Sequence, residues 1–200
     1  MWKLLFFSTL IILNGCTVPV NKIKDGGFLS QEPCGPPCFY DVTPGITTQA
    51  QAMELTQKRD GIFNSCKYID LTSSGGKSGI SCDYIDMVFQ NSLVRGVKYI
   101  PSVSITSKQV IETYGSPDRV DIYITSLPDK PFQVEMGFCY DKLQTSIGFS
   151  ENAGTVYNIN SNSLVYSIFY DDAHSYNESC GANVGKTPWR GYGEYTTSTP

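Results

Sequence analysis

Thr106-Ser107-Lys108-Gln109-Val110-Ile111-Glu112-Thr113-Tyr114-Gly115-Ser116-Pro117 is the stretch whose reading decides the fold. Thr106 and Gln109 have capping-box spacing: a hydroxyl for an orphan helix N–H, and an amide three residues on that reaches back. Val110, Ile111 and Tyr114 supply an apolar stripe. Gly115 stands where a left-handed C-terminal residue is wanted, and Pro117 stops continuation. The same pattern occurs upstream. Thr48-Gln49-Ala50-Gln51 repeats the box, and Ala52, Met53 and Leu55 repeat the stripe.

Working outward, both helix starts lead into strand-like text. Cys66 to Thr72, Gly79 to Gln90 and Leu93 to Ile100 follow the first. Arg119 to Thr125, Phe132 to Tyr140, Leu143 to Phe149 and Leu164 to Tyr170 follow the second. Phe132, Val134, Met136, Phe138 and Tyr140 alternate with Gln133, Glu135, Gly137 and Cys139, the signature of a half-buried strand. Pro128-Asp129 and Asp141-Lys142 occupy turn places. A second internal match sets Ser92-Leu93-Val94-Arg95-Gly96-Val97-Lys98-Tyr99 against Ser163-Leu164-Val165-Tyr166-Ser167-Ile168-Phe169-Tyr170. Two matches in the same order predict a tandem duplication. The predicted fold is therefore α+β: two tandem modules, residues 38–102 and 103–195, each a short helix packed on an antiparallel β-meander. A helix needs only one face of its sheet, so the other face is left available.

The N-terminus predicts export. Lys3 gives a minimal positive region, and Leu4 to Leu13 is almost wholly apolar, too short to span a bilayer and long enough for a signal-peptide core. Leu13-Asn14-Gly15-Cys16 then resembles the lipobox of bacterial lipoproteins, although Asn14 stands where a small residue is usual. That resemblance implies a leader over 1–15 and a lipid, with acyl chains such as palmitate, on Cys16. Residues 16–37 read as a tether, with folding expected to begin near Cys34, and 196–200 read as a disordered tail. The expected location is the cell envelope, on the outer face of a membrane.

Beyond Cys16 stand Cys34, Cys38, Cys66, Cys82, Cys139 and Cys180, an even number suited to an oxidising compartment. Six cysteines allow 15 pairings, and spacing does not choose among them. Cys66 and Cys82 flank Ser73-Ser74-Gly75-Gly76, so a hairpin would join them. Cys34 and Cys38 could close a short prolyl loop, leaving Cys139 with Cys180. Zinc is disfavoured by irregular spacing and a single histidine.

The resemblance extends past the anchor. Thr43-Pro44-Gly45-Ile46-Thr47-Thr48 with its helix and strands, and Ile105-Thr106 with Val110 to Asp118, resemble the helix-then-meander module of the outer-membrane assembly lipoproteins. The tandem form is similar to the β-lactamase inhibitor protein. With Trp189-Arg190-Gly191-Tyr192-Gly193, these signals also resemble uncharacterised bacterial lipoproteins. The likeness covers roughly residues 38 to 193, and short capping and turn signals bear on fold more than function.

Chemistry-bearing groups are few. The formal charge is −4 with no basic stretch, which argues against nucleic acid. Gly75-Gly76-Lys77-Ser78 lacks the earlier glycine of a phosphate loop and reads as a hairpin turn. His174 is the only imidazole; with Asp171, Asp172 and Glu178 it could form a metal-assisted hydrolase site, or simply a solvated loop. Asp70, Asp83 and Asp86 are candidate paired carboxylates, though scattered acids on a sheet face are commoner. No catalytic residue, metal or cofactor is assigned. Tyrosines are plentiful, and Tyr123, Tyr140, Tyr166 and Tyr170 are the binding candidates, because tyrosine supplies rigid amphipathic contact area. The expected function is a non-catalytic protein-binding or scaffold lipoprotein, with a protein partner in the envelope. The alternatives are the hydrolase and a small-ligand or cell-wall-binding module.

Overall fold

A computed structural model describes residues 25–58, 63–71, 76–125, 133–153, 156–181 and 187–196. The expected leader over 1–15, the expected lipid site Cys16, Gly75, the expected turn at Pro128-Asp129 and residues 197–200 lie outside them. Helix α1 is Gln49–Lys58 and is followed by β1 (Lys67–Leu71), β2 (Lys77–Ser81), β3 (Ile85–Gln90) and β4 (Leu93–Tyr99). Helix α2 is Ser107–Tyr114, followed by β5 (Arg119–Thr125), β6 (Gln133–Tyr140), β7 (Thr145–Ala153), β8 (Val156–Ile159) and β9 (Val165–Asp171). A short helix α3 (Ala173–Tyr176) runs into a π-helical turn (Asn177–Gly181), and β10 (Thr187–Pro188) and β11 (Gly193–Thr196) close the chain.

The fold is α+β, and the described residues build one nine-stranded sheet in the order β1-β2-β3-β4-β9-β7-β6-β5-β10, each neighbouring pair antiparallel. The stretch expected as a single strand from Gly79 to Gln90 is two, because the chain reverses at Cys82-Asp83-Tyr84, where Cys82 N–H donates to Ile85 O at 2.8 Å. Strands β8, β10 and β11 and helix α3 lack the period that would have announced them, being only two to four residues long.

Register fixes the two faces of the sheet, since residues directly opposite point the same way. Ile80, Met87, Val97, Tyr170, Thr145 and Tyr140 form one transverse row on the core face. Tyr99, Ile168, Ile147, Phe138 and Val120 form the next. All are buried, and all but Thr145 belong with Ala52 of α1 and Val110 of α2 to one hydrophobic cluster. The small sheet β8–β11 joins the same core through Tyr157, Ile159 and Tyr195, with Trp189 4.9 Å from Phe138.

Both helix starts form the capping boxes read from sequence. Thr48 N–H donates to Gln51 Oε1 at 2.9 Å and Gln51 N–H returns to Thr48 Oγ1 at 3.2 Å. The matching distances at Thr106 and Gln109 are 2.9 and 3.3 Å. Gly115 ends α2 differently from the expected left-handed cap: φ is 81° but ψ is −173°, while its N–H still reaches Ile111 O. Each start is also tied to a strand. Gln49 N–H donates to Ser92 O and Ser107 N–H to Ser163 O, both at 2.9 Å.

The segment expected as tether is packed from residue 25 onward. Asp25 accepts hydrogen bonds from the N–H groups of Gly27, Leu29 and Ser30 and folds the chain into a compact turn. That turn delivers Phe28 into the core, 4.9 Å from the Tyr114 ring, and the Tyr114 hydroxyl donates to Phe28 O. One buried aromatic in an aperiodic stretch is enough to end a tether, and periodicity gives no sign of it.

Three disulfides are present: Cys34–Cys38, Cys66–Cys82 and Cys139–Cys180. The first closes the short prolyl loop. The second joins residues flanking the β1–β2 pair, whose register sets Lys67 opposite Ser81. The third pins the π-helical turn to β6.

Candidate functional site

The face of the sheet opposite the core is the place to look, because it is only partly covered. Cys139 lies on that face, opposite Arg119 and Ser146. Its disulfide to Cys180 folds α3 and the π-helical turn over the sheet, burying Tyr176 between them. Asp172 caps α3, accepting from Ser175 N–H at 2.7 Å, and its other oxygen pairs with Arg95 at 2.7 Å. The Tyr176 hydroxyl donates to Asp141 at 2.8 Å, and Arg119 pairs with the same carboxylate.

Beside this cover runs a trough of about 400 Å³. Its floor is a transverse row of four residues: Asp121 on β5, Gly137 on β6, Gly148 on β7 and Ser167 on β9, each opposite the next. Neighbouring strands stand about 4.8 Å apart, so the two glycines clear a strip of bare backbone between the outer pair. A Cβ on Gly148 would come within 2.8 Å of Ser167 Oγ, so that glycine lets the serine lie over the strand. Phe169, Cys180 and Ser179 line the covered flank, and Tyr166 and Glu135 also border the trough. Lys98 stands at one end, its ammonium 5.7 Å from the Phe169 ring centre and 6.0 Å from that of Tyr166.

Two ladder irregularities border the same trough. The register shifts between Gly148 and Phe149, where β9 inserts Tyr166 as an extra residue, and again between Val134 and Met136. A bulge re-aims the residue it inserts. Tyr166 is thereby turned outward and left 53% exposed. Comparison of the chain with family models, curated proteins and solved structures finds no match.

Of the tyrosines singled out from sequence, Tyr166 alone has an exposed side chain among the described residues. Tyr140 and Tyr170 lie on the core face and present no contact surface. Burial pushes the Tyr140 and Tyr170 hydroxyls well above the usual range, and the Tyr140 hydroxyl donates to Gly115 O. Backbone register places Tyr123 opposite Glu135, while its side chain lies outside the description.

Asp171, His174 and Glu178 border one small hollow of about 240 Å³, which Asp172 does not join. Asp172 is occupied by the α3 cap and Arg95, and His174 is 68% exposed and paired with Glu178 at 3.2 Å. Asp171 lies against Gly96 and accepts from Ser179. Burial, reinforced by neighbouring Asp172, pushes its carboxyl up to about 6. Among the described residues no three His, Cys, Asp or Glu side chains are arranged to hold a metal ion. Asp86 faces Lys98 across β3–β4, Asp70 faces Ser78, and Asp83 sits in the β2–β3 turn.

Sequence reasoning passed over Asp121, Gly137, Gly148, Ser167, Phe169 and Lys98. A signal was there. Glycine inside a strand marks a bulge or a close approach, and Gly137 and Gly148 each interrupt an apolar run.

Proposed function

We propose that this chain is a lipid-anchored envelope protein that binds a protein partner through the uncovered face of its sheet. The observation that carries this reading is the trough: a glycine floor, an aromatic wall and a bulged, exposed Tyr166 on a face that α1 and α2 leave free and α3 covers only in part. Concave sites of a few hundred cubic ångströms with few polar groups are where ligands and anchor side chains bind. The lipobox resemblance at Cys16 supplies the envelope location.

The duplication belongs to the same proposal. Helix starts, strand ties and bulges recur at matched positions. Thr48 bridges Leu93 as Thr106 bridges Leu164, and Arg95 is the inserted residue of β4 as Tyr166 is of β9. Across β4–β9, Lys98 faces Phe169, its own counterpart in the repeat, with Val97 facing Tyr170 and Tyr99 facing Ile168. A local two-fold axis through that pair follows, and two copies would meet there to make one binding face. Such an arrangement agrees with the resemblance to tandem helix-and-meander inhibitor and assembly proteins.

A photoreactive residue placed at Tyr166 in the exported protein tests the reading. Crosslinking to a defined envelope protein from Tyr166, and not from exposed Tyr68 on β1, is the expected result. Equal labelling from both positions refutes it. Separately, Cys16→Ser is expected to release the chain from membranes.

A further inference from the structure

The trough holds a buried carboxylate with no partner among the described residues. Asp121 is only 4% exposed, lines the trough, and has no hydrogen bond or ion pair among the described residues. A carboxylate so placed carries a desolvation cost that a counter-charge offsets. The structure has a cation within reach along the chain, yet spends it elsewhere. Arg119 lies two residues away on the same strand and face, and its guanidinium is paired with Asp141. Lys98 sits on β4, beyond Phe169 in the neighbouring row, with its ammonium over the aromatic rings.

We propose that Asp121 is the receptor for a cationic side chain, arginine or lysine, which a protein partner lays along the Gly137–Gly148 floor. The inference rests on the protein-binding reading of this face and adds the chemistry of what is bound. Charge complementarity selects the occupant. The two glycines leave room for an extended aliphatic stem, Phe169 offers it an apolar wall, and Asp121 accepts from its head at the end of the strip. A guanidinium suits best, because its planar fork meets a carboxylate with two parallel hydrogen bonds.

Two variants separate charge from shape. Asp121→Asn keeps the volume and removes the charge. Gly137→Val keeps the charge and fills the floor; its Cβ would meet only Ile147 O, at an ordinary 3.7 Å. The direct experiment follows the backbone amide resonances of Gly137 and Gly148 while N-acetyl-arginine amide is added at millimolar concentration. N-acetyl-citrulline amide serves as the neutral isostere. The expected result is saturable movement of both glycine signals with arginine, at least tenfold weaker binding with citrulline, and loss of binding in both variants. Equal response to citrulline, an unchanged response in Asp121→Asn, or no response to arginine overturns the inference. Both variants should keep the wild-type dispersion of amide signals, which certifies their fold.

Crosslinking from Tyr166 in the cell, repeated with Asp121→Asn, separates this inference from the reading it rests on. A partner captured by the wild-type chain and lost in the variant supports both. Capture unchanged in the variant overturns the cation receptor and leaves the binding face standing. Arginine binding without any captured partner makes the trough a small-cation site and overturns the partner assignment.

Discussion

Arg95 and Tyr166 occupy the same place in two stretches of chain that resemble each other, and each is the extra residue of a bulge. Their fates differ. Arg95 is drawn under the cover, where it pairs with Asp172 and holds the start of α3. Tyr166 stays in solvent at the mouth of the trough. A bulge settles only that a side chain is re-aimed; what that side chain then does depends on what else is folded over it. At β4 the irregularity ends in a mostly buried ion pair, and at β9 it ends in an exposed ring.

Removing the cover should have the largest effect. Cys139–Cys180 closes a separation of 41 residues and Cys66–Cys82 one of 16. Restriction of the unfolded chain gives about 4 kcal/mol for the first and about 3 kcal/mol for the second. Denaturant midpoints of the two paired Cys→Ser variants should fall in that order. A larger loss from the Cys66–Cys82 pair would mean that the cover is incidental to the fold.

Next in size is Arg95→Ala, which leaves a mostly buried Asp172 without its ion pair and should cost about 2–3 kcal/mol. Tyr166→Ala, at the matched position, should stay within about 0.5 kcal/mol of wild type and act on binding alone. Thermal unfolding of the two variants measures this directly. Similar losses would erase the distinction between the two bulges.

Asp171, beside the Arg95 bulge, adds a pH signature. Its carboxyl titrates near 6 in the folded chain against 3.8 for the ordinary group, because burial disfavours its charged form. The folded state therefore holds this proton longer than the unfolded state does. Stability from this group is full below about pH 4 and is lost as pH rises through about 6, on the order of 2 kcal/mol in all. Asp171→Asn should flatten that decline in unfolding midpoints measured across the window. An unchanged slope would place the decline in other groups.

The smallest effects sharpen the likeness instead of the difference. Thr48→Ala and Thr106→Ala each remove one capping box and should each cost about 1 kcal/mol. Equal losses would show that the two helix starts are equivalent in energy as well as in geometry.

The likeness was legible because its signals are local. A hydroxyl and an amide three residues apart can meet only at a helix start, so Thr48-Gln51 and Thr106-Gln109 announced α1 and α2. Alternation over residues 132–140 likewise announced β6, and even spacing around a turn brought Cys66 to Cys82. The site was less legible. Tyr140 and Tyr170 share composition with Tyr166, and only register and a one-residue insertion separate buried from exposed. The hydrolase candidates Asp171, Asp172 and His174 are neighbours in sequence, but the strand end and helix cap send them to different partners.

Short-range chemistry in the sequence therefore set two capped helices and the main strands and suggested Cys66 with Cys82 across a turn, while the pairing of the six cysteines stayed open until the strands were in register. Tertiary structure alone decided that the strands join one sheet through β4 and β9, and that the stretch around Phe28 is core and not tether. It also decided that Asp121 borders the trough with no ion pair among the described residues. Those outcomes depend on which residues stand opposite one another across strands far apart in the chain, and no local pattern encodes such a register.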